Sequence, residues 1–141
     1  MTVLTIFFIC ILAAAALQDI AGMEIENWCH AAIAALALVS VVLFGSPTLS
    51  SCILGAFCVS VPMLLIALIS EGGFGGGDIK LMAAGGMFLG RDIIVFAAVT
   101  AVFLGGAYCL FLLASGRAGR RTGFAFGPFL CAGMVIGRLF F

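Results

Sequence analysis

The chain is built from long apolar runs that follow one another with only short polar breaks between them. "LTIFFICILAAAAL", "ILGAFCVSVPMLLIALI" and "IIVFAAVTAVFLGGAYCLFLLA" carry no charged side chain at all. A run of about 17 to 25 apolar residues crosses the hydrocarbon core of a bilayer as a helix. By that measure span 1 runs from Thr2 to Leu17, span 2 from Trp28 to Phe44, and span 3 from Leu49 to Ile69. Span 4 is short, Ile79 to Leu89; span 5 runs from Ile93 to Ala114 and span 6 from Phe124 to Phe140. The turns between them are "QDIAGMEIEN", "GSPTLS", "SEGGFGGGD", "GRD" and "SGRAGRRTG", where helix breakers and polar residues collect. The expected fold is an all-α integral membrane bundle of about six transmembrane helices, a single domain over residues 1–141. Span 4 is too short to cross comfortably alone, so five crossings is the alternative.

Composition agrees. Hydrophobic residues make up 65% of the chain and charged residues 9%, against about a quarter charged in a soluble domain. Net charge is zero, and no basic run exists to neutralise phosphates, which argues against a nucleic-acid partner. The first eighteen residues lack the positive flank of a signal peptide and are read as a retained first helix. The six cysteines sit in or beside apolar segments without any C-x-x-C pair, as small packing residues do.

The only basic cluster is Arg117, Arg120 and Arg121, after span 5. The positive-inside rule puts that loop in the cytoplasm. The loops after spans 1 and 3, which hold Asp19 and Asp78, then share its side; Arg91 and Arg138 lie opposite. Gly86 and Gly90, Gly123 and Gly127, and Gly133 and Gly137 are each four apart, a spacing that lets helices approach closely.

Six acids are candidates for chemistry: Asp19, Glu24, Glu26, Glu71, Asp78 and Asp92. Asp92 adjoins Arg91 in a short turn and reads as a solvated loop residue. Glu24, Glu26 and Glu71 read as interfacial carboxylates. Asp19 closes span 1 and Asp78 opens span 4 behind a run of glycines. Asp78 also suits a plain N-cap, and Asp19 an ordinary helix end. Ionisable groups at membrane depth are costly and usually functional. Two close carboxylates share a proton, one serving as base and the other as acid, and so activate water for attack on a peptide carbonyl. Other chemistries lack their parts. His30 has no second histidine at metal-binding spacing, the glycine run has no following G-K-[ST], and the serines have no histidine base. No metal or other cofactor is expected.

"FGGGDIKL" resembles the F-G-x-G-D-x-K-L signature of the type IV prepilin peptidases, membrane aspartic peptidases with a G-x-G-D motif. The matching residues are Phe74, Gly75, Gly77, Asp78, Lys80 and Leu81. In that family the first aspartate closes the first core span and is followed at a fixed distance by I-P-N. Here Asp19 is followed by Ile25, Glu26 and Asn27. Glu26 stands in place of the proline, which predicts a less rigid turn, and Met23 and Glu24 occupy positions that are usually basic. "FAFGPFLCAG", with Pro128, also resembles a family segment.

The resemblance covers nearly the whole chain. It implies Asp19 and Asp78 as the catalytic pair, with Phe74, Gly75, Gly77 and Lys80 supporting the motif. It implies cleavage of prepilin or pseudopilin leaders after a glycine, at the cytoplasmic face of a bacterial or archaeal membrane, while the substrate's apolar helix stays in the bilayer. The chain resembles the core-only forms that serve Flp or tight-adherence pili and archaeal preflagellins, without methyltransferase activity. Glu24 and Glu26 are candidates to attract a basic leader or are simply solvated. Lys80 is a candidate to tune the pair or bind headgroup phosphate, or it snorkels to the interface. Two rivals remain. The presenilin class shares G-x-G-D but uses Y-D and P-A-L, whereas Gln18 precedes Asp19 here and no P-A-L occurs. A proton-coupled carrier would use the acids without hydrolysis.

Overall fold

A computed structural model describes residues 1–70, 74–116 and 124–141, and in these the protein is helical with no strand. Among the described residues seven helices follow in order: α1 (Thr2–Gly22), α2 (Asn27–Phe44), α3 (Leu49–Cys58), α4 (Ser60–Ile69), α5 (Gly76–Leu89), α6 (Arg91–Ala114) and α7 (Gly127–Phe140). Glu71 and the Arg117, Arg120 and Arg121 cluster lie outside the described residues, as does Gly123 of one glycine pair.

The expected spans match these helices within a few residues at their ends, span 6 starting at Gly127 and not at Phe124, and three differences bear on the architecture. The first concerns α1, which continues past Leu17 to Gly22 and is closed by Met23 at φ 54° in the left-handed region. Asp19 is therefore in the last helical turn, not in the loop after it. The second is that span 3 is broken at Val59 into α3 and α4. Pro62 explains the break, since it offers no N–H to the carbonyl of Cys58 and its ring crowds that carbonyl. The two pieces still form one apolar column of 21 residues, Leu49–Ile69. The third is that α5 begins at Gly76, with Gly75 as its N-cap. Asp78 lies in the first turn, and the N-cap reading of it does not hold.

Among the described residues, four helical columns are long and apolar enough to cross a membrane: Thr2–Gly22, Asn27–Phe44, Leu49–Ile69 and Arg91–Ala114. The α5 and α7 helices have 14 residues each, about 21 Å at the helical rise. That is short of a hydrocarbon core of about 30 Å. The outer faces of the long helices are apolar where a soluble protein would be polar: Phe103 is 74% exposed and Ile69 83%. Lipid is the solvent such faces suit.

The α5 helix occupies the middle of the bundle, against α2, α3, α4, α6 and α7, and α7 lies between α1 and α6. Phe8 of α1 stacks on Phe88 of α5 with ring centres 4.4 Å apart, and Leu12, Ile33, Leu81, Met82, Ile94, Leu130 and Met134 complete the core. Between helices in lipid, packing rather than water expulsion supplies the attraction, so small residues let backbones touch. Gly86 of α5 lies directly on Gly55 of α3, where a Cβ at position 86 would sit 2.0 Å from the Gly55 carbonyl oxygen. Gly133 of α7 lies as close to the Ala97 carbonyl of α6. Gly90 serves differently, turning the chain between α5 and α6 at φ +82°.

At the opposite end from Asp19, Arg138 of α7 donates from Nε and Nη2 to Thr5 Oγ1 of α1 at 3.2 and 3.1 Å. The two helices thus run antiparallel, and the start of α7 is brought to the end of α1.

The glycine contact predicts a contrast in stability. Gly86→Val should cost about 2 kcal/mol or more, the scale of overpacking a tight core. Gly106→Ala, which meets nothing within 4 Å, should cost almost nothing. Thermal unfolding in detergent reads both, and equal melting of Gly86→Val and the parent would contradict the backbone contact.

Candidate active site

Two buried carboxylates line one cleft at one end of the bundle. Asp19 comes from the last turn of α1 and is 5% exposed; Asp78 comes from the first turn of α5 and is 7% exposed. Both line one open cleft of ≈ 240 Å³, together with Met23, Glu24, Ile25, Asn27, Gly75, Gly76, Gly77 and Lys80. Of the expected site residues, Asp19, Asp78, Gly75, Gly77 and Lys80 are therefore brought together. Phe74 stands beside them, its ring 5.6 Å from that of Phe126.

Local sequence explains how each acid is held. The backbone carbonyl of Asp19 accepts the N–H of Met23 at 2.8 Å, which closes the end of α1. The Gly75 carbonyl receives the N–H groups of Asp78 and Ile79 at 3.1 and 3.3 Å, starting α5. Ile25 of the turn between α1 and α2 lies beside Gly77; a Cβ added there would meet the Ile25 Cβ at 3.4 Å, an ordinary packing distance. The first turn of α5 is thereby seated on the turn that follows Asp19.

A residue outside the expected set completes the site. The N–H of Gly127, buried at the start of α7, donates to Asp19 Oδ2 at 2.8 Å. The first N–H groups of a helix have no partner within it, and Pro128 in the next position has none to offer. Glycine at 127 also suits the contact: a Cβ there would lie 2.6 Å from Asp19 Oδ2, so the carboxyl group would have to shift. The signal was present in "FAFGPFLCAG", but nothing in one sequence says which helix end its glycine faces. Gly105 of α6 makes room for the Phe126 ring, which an added Cβ would meet at 2.5 Å. Phe124, Phe126, Phe129 and Tyr108 then form an aromatic cluster beside Asp19's donor.

Asp78 is held differently. It makes no cap hydrogen bond, and its Oδ1 has no partner among the described residues. Lys80 does not pair with either aspartate; its Nζ donates to Asn27 Oδ1 at 3.3 Å. Glu24 lines the cleft, whereas Glu26 accepts hydrogen bonds from Gln18 and Trp28. Asp92 is exposed and only loosely paired with Arg91, at 4.0 Å. All six cysteines are free, and the described residues hold no cluster of three or more metal-ligating side chains.

The model of the type IV leader peptidase family matches residues 6–110. The chain belongs to that family. A Bacillus subtilis (strain 168) protein named prepilin leader peptidase/N-methyltransferase is 35% identical over 88 residues. The match takes in 62% of this chain and 36% of that protein, so the chain spans little more than a third of that relative's length. No solved structure matches it. In this type IV leader peptidase family member the matched stretch holds both aspartates, whereas Gly127 lies beyond it.

The Gly127 contact predicts an energetic coupling to Asp19. Gly127→Ala should lower unfolding stability by about 0.5 to 1.5 kcal/mol, the scale of a hydrogen bond disrupted when the added Cβ forces the Asp19 carboxyl group to shift. In an Asp19→Ala background the same change should cost at least about 0.5 kcal/mol less. A double-mutant cycle by thermal unfolding measures this, and strict additivity would contradict the contact.

Proposed function

We propose that this protein is an aspartic endopeptidase that removes the leader of type IV prepilins or prepilin-like proteins. The observation that carries the reading is the pair of buried carboxylates, from helices far apart in sequence, lining one cleft in a chain so poor in charge. Family membership supports the substrate class. The resemblance of "FGGGDIKL" and "DIAGMEIEN" to the family's two motifs supports Asp19 and Asp78 as the catalytic residues.

The chemistry follows from two carboxyl groups sharing one proton. The ionised group takes a proton from a water molecule, whose oxygen attacks the scissile carbonyl carbon. The protonated group gives its proton to the carbonyl oxygen. The tetrahedral intermediate then collapses: its C–N bond breaks, the leaving nitrogen takes up the proton held by the first group, and one hydroxyl of the intermediate returns its proton to the second group as the carbonyl re-forms. Gly127 N–H occupies Asp19 Oδ2, which leaves Oδ1 of that residue for the water. The glycines at 75 to 77 leave the substrate backbone room beside Asp78. Cleavage after a glycine, as in the family, suits a site this narrow.

The substrate's apolar helix stays in lipid against the bundle while its leader reaches the cleft from the cytoplasm. Two features favour that orientation. The cleft lies at the end of α1, and the segment joining α6 to α7 ends at the same place, because Gly127 touches Asp19. That segment contains Arg117, Arg120 and Arg121, and basic loops stay inside.

Co-expression with a prepilin tests the reading. The parent should shorten the prepilin, seen as a mobility shift. Asp19→Asn and Asp78→Asn should each slow cleavage by at least about a hundredfold, the loss expected on removing a general acid or base. Processing by either variant at the parent's rate would sink the paired mechanism. Proton-driven flux with the prepilin left intact would favour the carrier instead.

A further inference from the structure

The turn between α1 and α2 is tied by polar groups that stand outside the cleft. Gln18 uses both ends of its side-chain amide on one residue. Its Oε1 accepts the backbone N–H of Glu26 at 3.2 Å, and its Nε2 donates to Glu26 Oε2 at 3.3 Å. The same Glu26 oxygen accepts the indole N–H of Trp28. Gln18 Oε1 also accepts from the Cys29 thiol at 3.4 Å. The last turn of α1 is thus stitched to the first turn of α2 across residues 23–26.

We propose that Gln18, Glu26 and Trp28 form a clamp that positions Asp19 against Asp78, a role that rests on the peptidase reading for its kinetic test. Three observations carry it. Gln18 is the immediate neighbour of Asp19, and the clamped turn begins on Asp19's own carbonyl through Met23 N–H. The turn is seated on the other half of the site, because Ile25 lies against Gly77, next to Asp78. None of the three clamp side chains lines the cleft, whereas Glu24 does. Glu26 is therefore placed to hold the turn, not to meet a substrate.

The clamp also accounts for how this turn is ordered with a glutamate in place of a proline. Glu26 has φ −64° and ψ 143°, the conformation in which proline's ring locks φ. Side-chain hydrogen bonds here hold the backbone where a ring would hold it covalently. A displacement of about 1 Å at a reacting group costs on the order of a hundredfold in rate, so a loosened turn should be felt in turnover.

The test compares the full chain with Gln18→Ala, Glu26→Ala and Glu26→Pro on a purified prepilin in detergent. Gln18→Ala and Glu26→Ala should lower kcat about tenfold or more with KM within about twofold of the parent. Glu26→Pro should recover part of the loss, because its ring restores φ although it removes the N–H that Gln18 Oε1 accepts. An unchanged kcat in Glu26→Ala, a change confined to KM, or a proline variant as slow as the alanine variant would each overturn the clamp. Trp28 is the only tryptophan and gives a readout independent of cleavage. Its fluorescence anisotropy should fall in Gln18→Ala and Glu26→Ala; equal anisotropy in all three chains would overturn the clamp by itself. A parent that cleaves no prepilin would overturn the peptidase reading instead, and the anisotropy would still decide whether the clamp exists.

Discussion

A buried carboxylate in an apolar bundle needs a donor, and in this protein the start of α7 supplies it. The hydrogen bond from Gly127 N–H to Asp19 Oδ2, both groups buried, links residues more than a hundred positions apart. It satisfies a helix-end N–H that would otherwise lack a partner and puts the positive end of the α7 dipole against an acid. The arrangement depends on the antiparallel docking of α7 on α1, which the Arg138–Thr5 contact holds at the far end. If α7 were displaced, Asp19 would lose its donor.

Glycine makes the rest of the site possible by close approach. Gly55 on Gly86 seats α3 on α5, Gly133 seats α7 on α6, and Gly105 admits the Phe126 ring beside Gly127. These contacts set the height and rotation of α5 and α7, and hence where Asp78 and Gly127 face. The turn after Asp19 rests on α5 at Gly77, where Ile25 packs. The site is an outcome of backbone contacts distributed through the bundle, and its two acids are carried by helix ends, not by mobile loops.

Much of this was legible in the sequence. The apolar runs located the helical columns within a few residues, because bilayer thickness imposes a length on them. "FGGGD" and "LQDIAG" pointed to Asp78 and Asp19, since a chain with so few charges leaves few places for chemistry. The parts that were not legible depend on tertiary contact. Apolar character persists through Cys58 and Val59, so hydropathy does not register the break that Pro62 imposes between α3 and α4. Polar Gln18 and Asp19 looked like the end of a span, yet α1 runs on to Gly22 because hydrogen bonds continue at the interface. Gly127 reads in the sequence as a helix-packing glycine, and its contact with Asp19 depends on α1 and α7 lying side by side. Glu26 looked like a loss of rigidity; the hydrogen bonds that hold it come from residues eight and two positions away.

The central claim is that Asp19 and Asp78 face each other across one cleft. Cysteines placed at both positions and treated in native membranes with a short bis-methanethiosulfonate test it without any substrate. The account predicts a cross-link between positions 19 and 78, mapped by mass spectrometry and absent from each single-cysteine chain. Cross-links only to the native cysteines, with none joining 19 to 78, would contradict it.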